Sequence, residues 1–143
     1  MAKRTDQEFL DYYCKCANTI FSKGTQKMVY IKNINSDMVY QSSLYIETFA
    51  PNGIESLQEG YLPKREDEEY KRILSEIKAQ DKKVMETLKP GSFIYIDGYN
   101  HIRHTHKRPI VNPDTNQVVG IICYVNHFTL PNILKLIYKI NNI

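Results

Sequence analysis

The sequence has no tryptophan and only three cysteines, Cys14, Cys16 and Cys123. Such an odd, sparse set is poor material for a disulfide framework and typical of a reducing compartment, so free thiols are expected. No uninterrupted apolar run approaches the roughly 20 residues that a membrane-spanning helix needs. Residues 1–11 are polar and charged where a signal peptide would be apolar. We therefore expect a cytoplasmic protein with no membrane partner.

Common catalytic motifs are also missing. The sequence contains no Gly-x-Ser-x-Gly, no Walker pattern and no Gly-rich turn that opens a helix. Asp97 lies near His101, but Asp97-Gly98 is better explained as a turn between strands. The net charge is +3, and its basic residues are interspersed with acids rather than concentrated on one face. We therefore expect neither enzymatic activity nor direct nucleic-acid binding by this domain.

The 143 residues suffice for one domain with a single hydrophobic core, and 42% hydrophobic residues is ordinary globular usage. Thr5 and Glu8 have the spacing of a capping box, and apolar residues follow at helical intervals, which predicts a helix over residues 6–21. Two β-favouring runs, residues 28–33 and 38–41, are separated by turn residues and predict a hairpin. A short helix is expected within residues 44–49.

A long helix is predicted over residues 66–88, because its apolar side chains recur on one helical face and Pro90-Gly91 follows. Three strands are predicted next, over residues 92–99, 101–111 and 117–127, with a turn between the last two. The third strand is apolar on both faces, which places it centrally in a sheet. An exit helix is predicted over residues 130–140, with Pro131 in its first turn.

This order of elements resembles that of PAS domains, and three groups of residues carry the resemblance over about residues 28–128. They are Tyr30-Ile31-Lys32-Asn33 with Met38-Val39-Tyr40, then Gly60-Tyr61-Leu62-Pro63, and last Lys107-Arg108-Pro109-Ile110 through Val118-Val119-Gly120-Ile121. They are similar to the opening hairpin, the turn before the long helix and the last hairpin of that family. The resemblance implies an α+β fold: a five-stranded antiparallel sheet of order 2-1-5-4-3 with helices on one face. Residues 27–128 would form the domain, and residues 1–26 and 129–143 would form flanking helices.

The family resemblance further implies a space between residues 66–88 and the sheet that can hold a small ligand or cofactor. Similar domains sense a stimulus or mediate dimerisation, and pass the change through a flanking helix to an output domain. Haem is disfavoured because residues 66–88 contain no histidine. Flavin photochemistry of the LOV type is disfavoured because no cysteine lies between Ala17 and Ile122. The cofactor, if there is one, stays unidentified.

The strand over residues 101–111 carries the densest set of histidines. His104 and His106 share one face because side chains alternate along a strand, and Arg108 lies on the same face. We expect this face to form the polar wall of the ligand cavity. Tyrosines on neighbouring strands could add hydroxyl groups to the same cavity. The candidate ligand-binding residues are His104, His106, Arg108, Tyr30, Tyr95 and Tyr124.

Three hypotheses for function follow. The first is a PAS-like sensor that binds a small molecule or partner and relays the change to an output domain absent from this chain, which we expect to be a transcription regulator. The second is a ligand-free dimerisation domain; a homodimer is expected in both cases. The third is a small metal protein or enzyme built on His104 and His106, although a metal site needs a third ligand, such as His127 or a distant acid. The candidate dimer-interface residues are Phe9, Tyr13, Ile20, Ile133, Leu134 and Ile137.

Overall fold

A computed structural model describes residues 3–21, 27–49, 68–96, 102–128, 137 and 139–141. Its elements, in chain order, are α1 (Asp6–Ile20), β1 (Met28–Asn33), β2 (Met38–Gln41), α2 (Ser43–Phe49), α3 (Glu68–Thr87), β3 (Gly91–Ile96), β4 (Ile102–Asn112) and β5 (Gln117–Phe128). Residues 137 and 139–141 are helical. The rest of the predicted exit helix lies outside the described residues.

The five strands form one antiparallel sheet in the order β2-β1-β5-β4-β3. This confirms the strand order that the resemblance to PAS domains implies. β5 pairs with β1 on one side and with β4 on the other, which explains why its residues are apolar on both faces. The turn between β4 and β5 spans residues 113–116, as predicted.

The two faces of the sheet are covered by different helices. On the face that we call outer, α1 packs through Leu10 and Ala17 against an apolar cluster of strand residues: Val29, Ile31, Ile110, Val119 and Ile122. On the inner face, α2 and α3 contribute Tyr45 and Val84 to a second cluster with Tyr30, Ile121, Cys123 and Val125. Strand alternation sends neighbouring residues to opposite clusters, so the sheet has a helical layer on each side.

Helix α1 is fixed at its start. The Thr5 hydroxyl accepts a hydrogen bond from the Glu8 amide at 3.1 Å, and the Glu8 carboxylate accepts one from the Thr5 amide, so the predicted capping box is confirmed. The Asp6 carboxylate accepts bonds from Thr115, at 2.6 Å, and from Asn112, at 3.0 Å. These two bonds lower the pKa of Asp6. They hold the start of α1 against the end of β4 and the following turn.

Gly120 on β5 allows β1 to approach closely at Lys32. A Cβ atom at position 120 would collide with the Lys32 carbonyl oxygen, so this position needs glycine. On its other side, β1 pairs with β2 through a register irregularity between Ile31 and Lys32. The backbone of Lys32 therefore lies in close contact with β5 on one side. On the other side, it lies next to an irregularity in the pairing with β2.

Helix α3 ends at Thr87, one residue before the predicted end. Leu88 adopts a left-handed conformation with φ of 55°, and it is 52% exposed rather than part of the buried stripe. Neither α3 nor any other helix that the structure describes combines the length and apolar character needed to cross a membrane.

Candidate functional site

A carboxylate interrupts the apolar stripe of α3. Asp81 follows Ile77 by four residues and precedes Val84 by three, so the three side chains share the helix face that contacts the sheet. Their exposed fractions are 0%, 0% and 1% for Ile77, Asp81 and Val84. A charge in such a position is retained only where other charges or hydrogen bonds compensate its loss of water.

Two lysines on the inner face of the sheet provide that compensation. Lys32 on β1 donates from Nζ to Asp81 Oδ2 at 2.8 Å, and Lys107 on β4 donates from Nζ to Asp81 Oδ1 at 2.5 Å. The side chains of both lysines and of Asp81 are fully buried. We call these three residues the charged cluster. It joins α3 to two strands that are not neighbours.

The sheet register sets the spacing of the two lysines. Lys32 lies opposite Ile121 of β5, and Lys107 lies opposite Cys123 of the same strand. The lysines therefore flank β5 on its inner face, and the carboxylate of Asp81 reaches between them from the helix above. Each carboxylate oxygen receives one ammonium group, which is bidentate recognition of a carboxylate by two separate side chains.

The charges in the cluster are unequal, because two ammonium groups share one carboxylate. Burial lowers the pKa of Lys32 and is the largest cause; Asp81 opposes this shift and Lys107 adds to it. Burial also raises the pKa of the neighbouring Cys123 thiol to about 11, so this cysteine is a protonated, unreactive group at neutral pH.

Aromatic rings lie near the two ammonium groups. Lys32 Nζ lies 5.3 Å from the centre of the Tyr30 ring, and Lys107 Nζ lies 5.7 Å from that of Phe93. Both distances fall within the range of cation–π attraction. The Tyr30 ring in turn packs against Tyr45 of α2, with 5.4 Å between ring centres. The charged cluster is thus bordered by aromatic side chains from β1, β3 and α2.

Strand β4 presents further polar side chains to the inner face. Arg103, Thr105 and Lys107 occupy every second position of the strand, so their side chains lie on the same face. All three are fully buried. Within the part of the chain that the structure describes, the Thr105 hydroxyl has no hydrogen-bond partner. A polar stripe therefore runs along the inner face of β4 beside α3.

The predicted histidines lie on the opposite side of this strand. His104 contacts Asn126 at 3.2 Å, while His106 lies 3.1 Å from the Ser92 hydroxyl and accepts a bond from Arg108 Nε at 3.2 Å. We expected His104, His106 and Arg108 to form the polar wall of the cavity; their side chains lie on the face of β4 opposite to Lys107, and their role in ligand binding stays a prediction. Because β4 is polar on both faces over residues 103–108, alternation alone did not show which face points inward.

The three candidate tyrosines are divided between the faces. Tyr30 is buried in the inner cluster, and its role in ligand binding stays a prediction. Tyr124 lies on the outer face, where its ring meets Phe21 edge-on with 6.2 Å between centres. The backbone of Tyr95 pairs with Arg103, and its side chain lies outside the described residues.

The candidate dimer-interface residues are likewise divided. Phe9 and Tyr13 are half-buried against the outer apolar cluster, so their side chains serve first to attach α1 to the sheet. Ile20 and Ile137 are exposed, at 64% and 47%. Ile133 and Leu134 lie outside the described residues.

A metal site on the histidines has no visible third ligand. Over the described ranges, no group of three or more His, Cys, Asp or Glu side chains comes close enough to hold a metal ion. His101 and the side chain of His127 are not among the residues described.

Sequence reasoning missed all three members of the charged cluster, although a signal was present. Asp81 occupies a position that the 3.6-residue period of α3 assigns to the core, and Lys32 has the same strand parity as the buried Tyr30. Charged residues at core positions are rare unless they are paired or functional. A search for such residues would have found Lys32 and Asp81 without the structure.

A shallow surface pocket of about 200 Å³ lies elsewhere, where the start of α1 meets the β1–β2 turn and β5. Asp6, Leu10, Asn33 and Val119 are among its lining residues. It lies on the outer side of the sheet and is separate from the charged cluster.

Comparison with known proteins gives matches at the level of structure. No protein-family model matches the sequence, and no curated protein matches it. The fold is similar to that of the phage VqmA–DPO complex, with a TM-score of 0.63 and 18% identity over 95% of this chain and 63% of that one. It is also similar to the PAS domain of Bordetella pertussis BvgS, with a TM-score of 0.61 and 13% identity over 96% of this chain and 98% of that domain.

VqmA from Vibrio cholerae, solved as a dimer in the absence of its target DNA, matches with a TM-score of 0.52 and 17% identity over 88% of this chain. The chain spans between 50% and 63% of the VqmA chains that it matches. It spans the whole length of a sensory box from a Vibrio cholerae sensor histidine kinase, at a TM-score of 0.51. Together with the strand order, these likenesses establish that the chain has the PAS fold.

Proposed function

We propose that this chain, which has the PAS fold, is a cytoplasmic sensory domain that binds a small molecule on the inner face of its sheet. In this proposal the domain catalyses no reaction. It passes the change in occupancy through its terminal helices to an output domain that regulates transcription. The bound molecule would lie between α3 and the polar stripe of β4.

The charged cluster is the observation that carries the proposal. Lys32, Asp81 and Lys107 are each fully buried between α3 and the sheet. Apolar side chains of similar volume would stabilise such a layer equally well or better, because desolvation of the charges offsets much of their attraction. Charges retained at this depth are therefore more readily explained by a role in binding than by a role in folding.

The connection of the two sheet faces provides a route for the signal. Cys123 belongs to the inner cluster, and its neighbour Tyr124 packs against the outer one, where its ring meets Phe21, the residue that follows α1. A shift of β5 caused by a ligand would therefore change the packing of α1 against the sheet. Coupling of this kind requires a ligand that binds two arrangements of the sheet with different affinity.

The structural neighbours support the same reading. VqmA is described in a complex with DPO, as a dimer and in a complex with a ligand and DNA. This chain matches part of the VqmA length, which is what a sensory domain alone would do. The identity of 17–19% leaves the ligand and the output of this protein to be measured.

The test is a search for a bound small molecule. Native mass spectrometry of the purified chain, followed by thermal-shift screening of a diverse small-molecule library, should identify at least one compound that raises Tm. Lys107→Met should abolish that rise, because it removes one of the two ammonium groups. Lys83→Met is the matched control, since Lys83 is exposed on the same helix as Asp81. An equal loss in both variants, or no binding compound at all, would contradict the proposal.

Exposed apolar side chains favour a second candidate, a dimerisation domain without a ligand. Ile20 is 64% exposed, and Ile137 and Ile140 are 47% and 60% exposed. Analytical ultracentrifugation would test it: Ile137→Asp should convert a dimer to a monomer, whereas Ile34→Asp, at an exposed isoleucine of the β1–β2 turn, should leave the dimer intact. A dimer that survives both substitutions would rule out this surface.

A further inference from the structure

We propose that Lys32 and Lys107 form a binding site for an anionic group of the ligand, and that the Asp81 carboxylate occupies this site as an internal substitute when no ligand is present. This inference rests on the proposed sensory function, whose ligand class and switching step it specifies. The chemical class is a small organic acid, most simply a carboxylate.

The bidentate arrangement of Asp81 is the main support, because it shows that the two lysines already bind a carboxylate. One ammonium group approaches each oxygen, at 2.8 Å and 2.5 Å. The two lysines come from different strands, β1 and β4, whereas the carboxylate comes from a helix. The two donors therefore belong to the sheet, and the acceptor belongs to the helix packed against it.

An exchange of carboxylates preserves the balance of charge around the two lysines, provided that the displaced Asp81 carboxylate reaches water when α3 shifts. Removing Asp81 alone would leave two buried ammonium groups without their shared anion, which is strongly unfavourable. A ligand carboxylate that takes its place supplies the same charge and accepts the same two hydrogen bonds. The exchange is therefore open to an anion and closed to a neutral molecule of the same shape.

A hydroxyl beside the charged cluster is a second observation that favours an acidic group. Thr105 is fully buried on the same face of β4 as Lys107. The Thr105 hydroxyl on the same face has no hydrogen-bond partner among the residues described. It lies one alternation from Lys107, where it could donate to an acidic group.

The exchange would change how α3 is held. In this structure, Asp81 attaches the middle of α3 to β1 and β4, between the buried side chains of Ile77 and Val84. A ligand that displaces it would leave α3 attached by apolar contacts, which are not directional and permit a shift or rotation. This gives the sensor two arrangements that an anion can distinguish.

Chemical rescue with acetate tests the inference without knowledge of the natural ligand. Asp81→Ala in the full chain should be unstable, and sodium acetate should raise its Tm by about 3–6 °C in a saturable manner, because acetate replaces the lost carboxylate. Acetamide, and sodium chloride at equal ionic strength, should not. If Asp81→Ala is unfolded in buffer, the same titration is followed as recovery of its far-ultraviolet helical signal.

Two controls make the result specific. Val84→Ala removes a buried inner-face side chain three residues away, and acetate should not raise its Tm. The wild-type chain should bind acetate at least about tenfold more weakly than Asp81→Ala, because a tethered carboxylate competes at high effective concentration. Rescue by acetamide, rescue of Val84→Ala, or equal acetate binding by the wild type would each overturn the inference.

The outcome separates this inference from the proposed function. If an uncharged compound binds the wild-type chain and Lys107→Met abolishes that binding, the sensory function stands and the anion site is wrong. If acetate rescues Asp81→Ala but no compound from the library binds the wild type, the anion site stands and the sensory function is contradicted.

Discussion

The two faces of the sheet are built from the same strands but on different principles. The outer face meets α1 through aliphatic side chains such as Val29, Ile31 and Ile122, with Leu10 and Ala17 opposite them. The inner face meets α3 through a buried carboxylate and two buried lysines as well as apolar contacts. An apolar layer is sufficient to attach a helix to a sheet. The contrast therefore indicates that attachment alone does not explain the inner face.

Among the substitutions that test this difference between the two faces, Asp81→Ala should have the largest effect on the free energy of unfolding. It removes the carboxylate that the buried ammonium groups of Lys32 and Lys107 share and should lower the free energy of unfolding by about 3–5 kcal/mol in urea denaturation. Glu86→Ala is the control, because Glu86 is 63% exposed on the same helix and its contact with Lys82 at 3.8 Å contributes little. If the two variants lose similar stability, the inner face does not depend on its charges.

A comparable loss of stability on the outer face should leave ligand binding on the inner face in place. Leu10→Ala removes a side chain that is 4% exposed between α1 and the sheet, and it should cost about 2–5 kcal/mol of unfolding free energy. Lys15→Ala, at an exposed position of α1, should cost much less. The Tm rise caused by a ligand should persist in Leu10→Ala and be lost in Lys107→Met. Its loss in Leu10→Ala would place the ligand on the outer face.

The difference between the two faces also explains why the fold could be predicted from the sequence and the candidate site could not. Element order and strand order followed from periodicity, turn residues and the resemblance to PAS domains, because those signals are local or depend on a long ordered set. The site did not follow, because β4 alternates His104 and His106 with Thr105 and Lys107, and both sets are polar. Which set faces α3 depends on the packing of the whole sheet, which no window of sequence contains.

Complete replacement of the charged cluster would separate binding from stability. The triple variant Lys32→Met, Asp81→Leu, Lys107→Met should be as stable as the wild type or more stable by about 1–4 kcal/mol, since apolar packing avoids the desolvation of three charges. The measurement is urea denaturation in parallel with the library thermal shift. No compound that raises the Tm of the wild type should raise the Tm of the triple variant. A triple variant as unstable as Asp81→Ala would instead show that the cluster is needed for folding.

The smallest effect expected concerns the start of α1. Thr5→Ala removes the side-chain oxygen that accepts from the Glu8 amide and should cost about 1 kcal/mol of unfolding free energy. Thr19→Ala is the control, because the Thr19 hydroxyl bonds to the Lys15 carbonyl within the same exposed helix surface, and alanine has the higher helix propensity. Hydrogen exchange should become faster in α1 for Thr5→Ala and remain unchanged for Thr19→Ala.

Combining Thr5→Ala with Asp81→Ala tests whether the two faces communicate. Distant, independent substitutions add to within about 0.5 kcal/mol, so two isolated layers would give an additive double variant. A sheet that relays occupancy from α3 to α1 must instead give a coupling free energy above that limit, because each substitution biases the same two arrangements. Urea denaturation of the four proteins in the cycle measures it. Additive changes in the free energy of unfolding would show that the two faces of the sheet are not coupled. The signal would then have to be transmitted by an element other than α1.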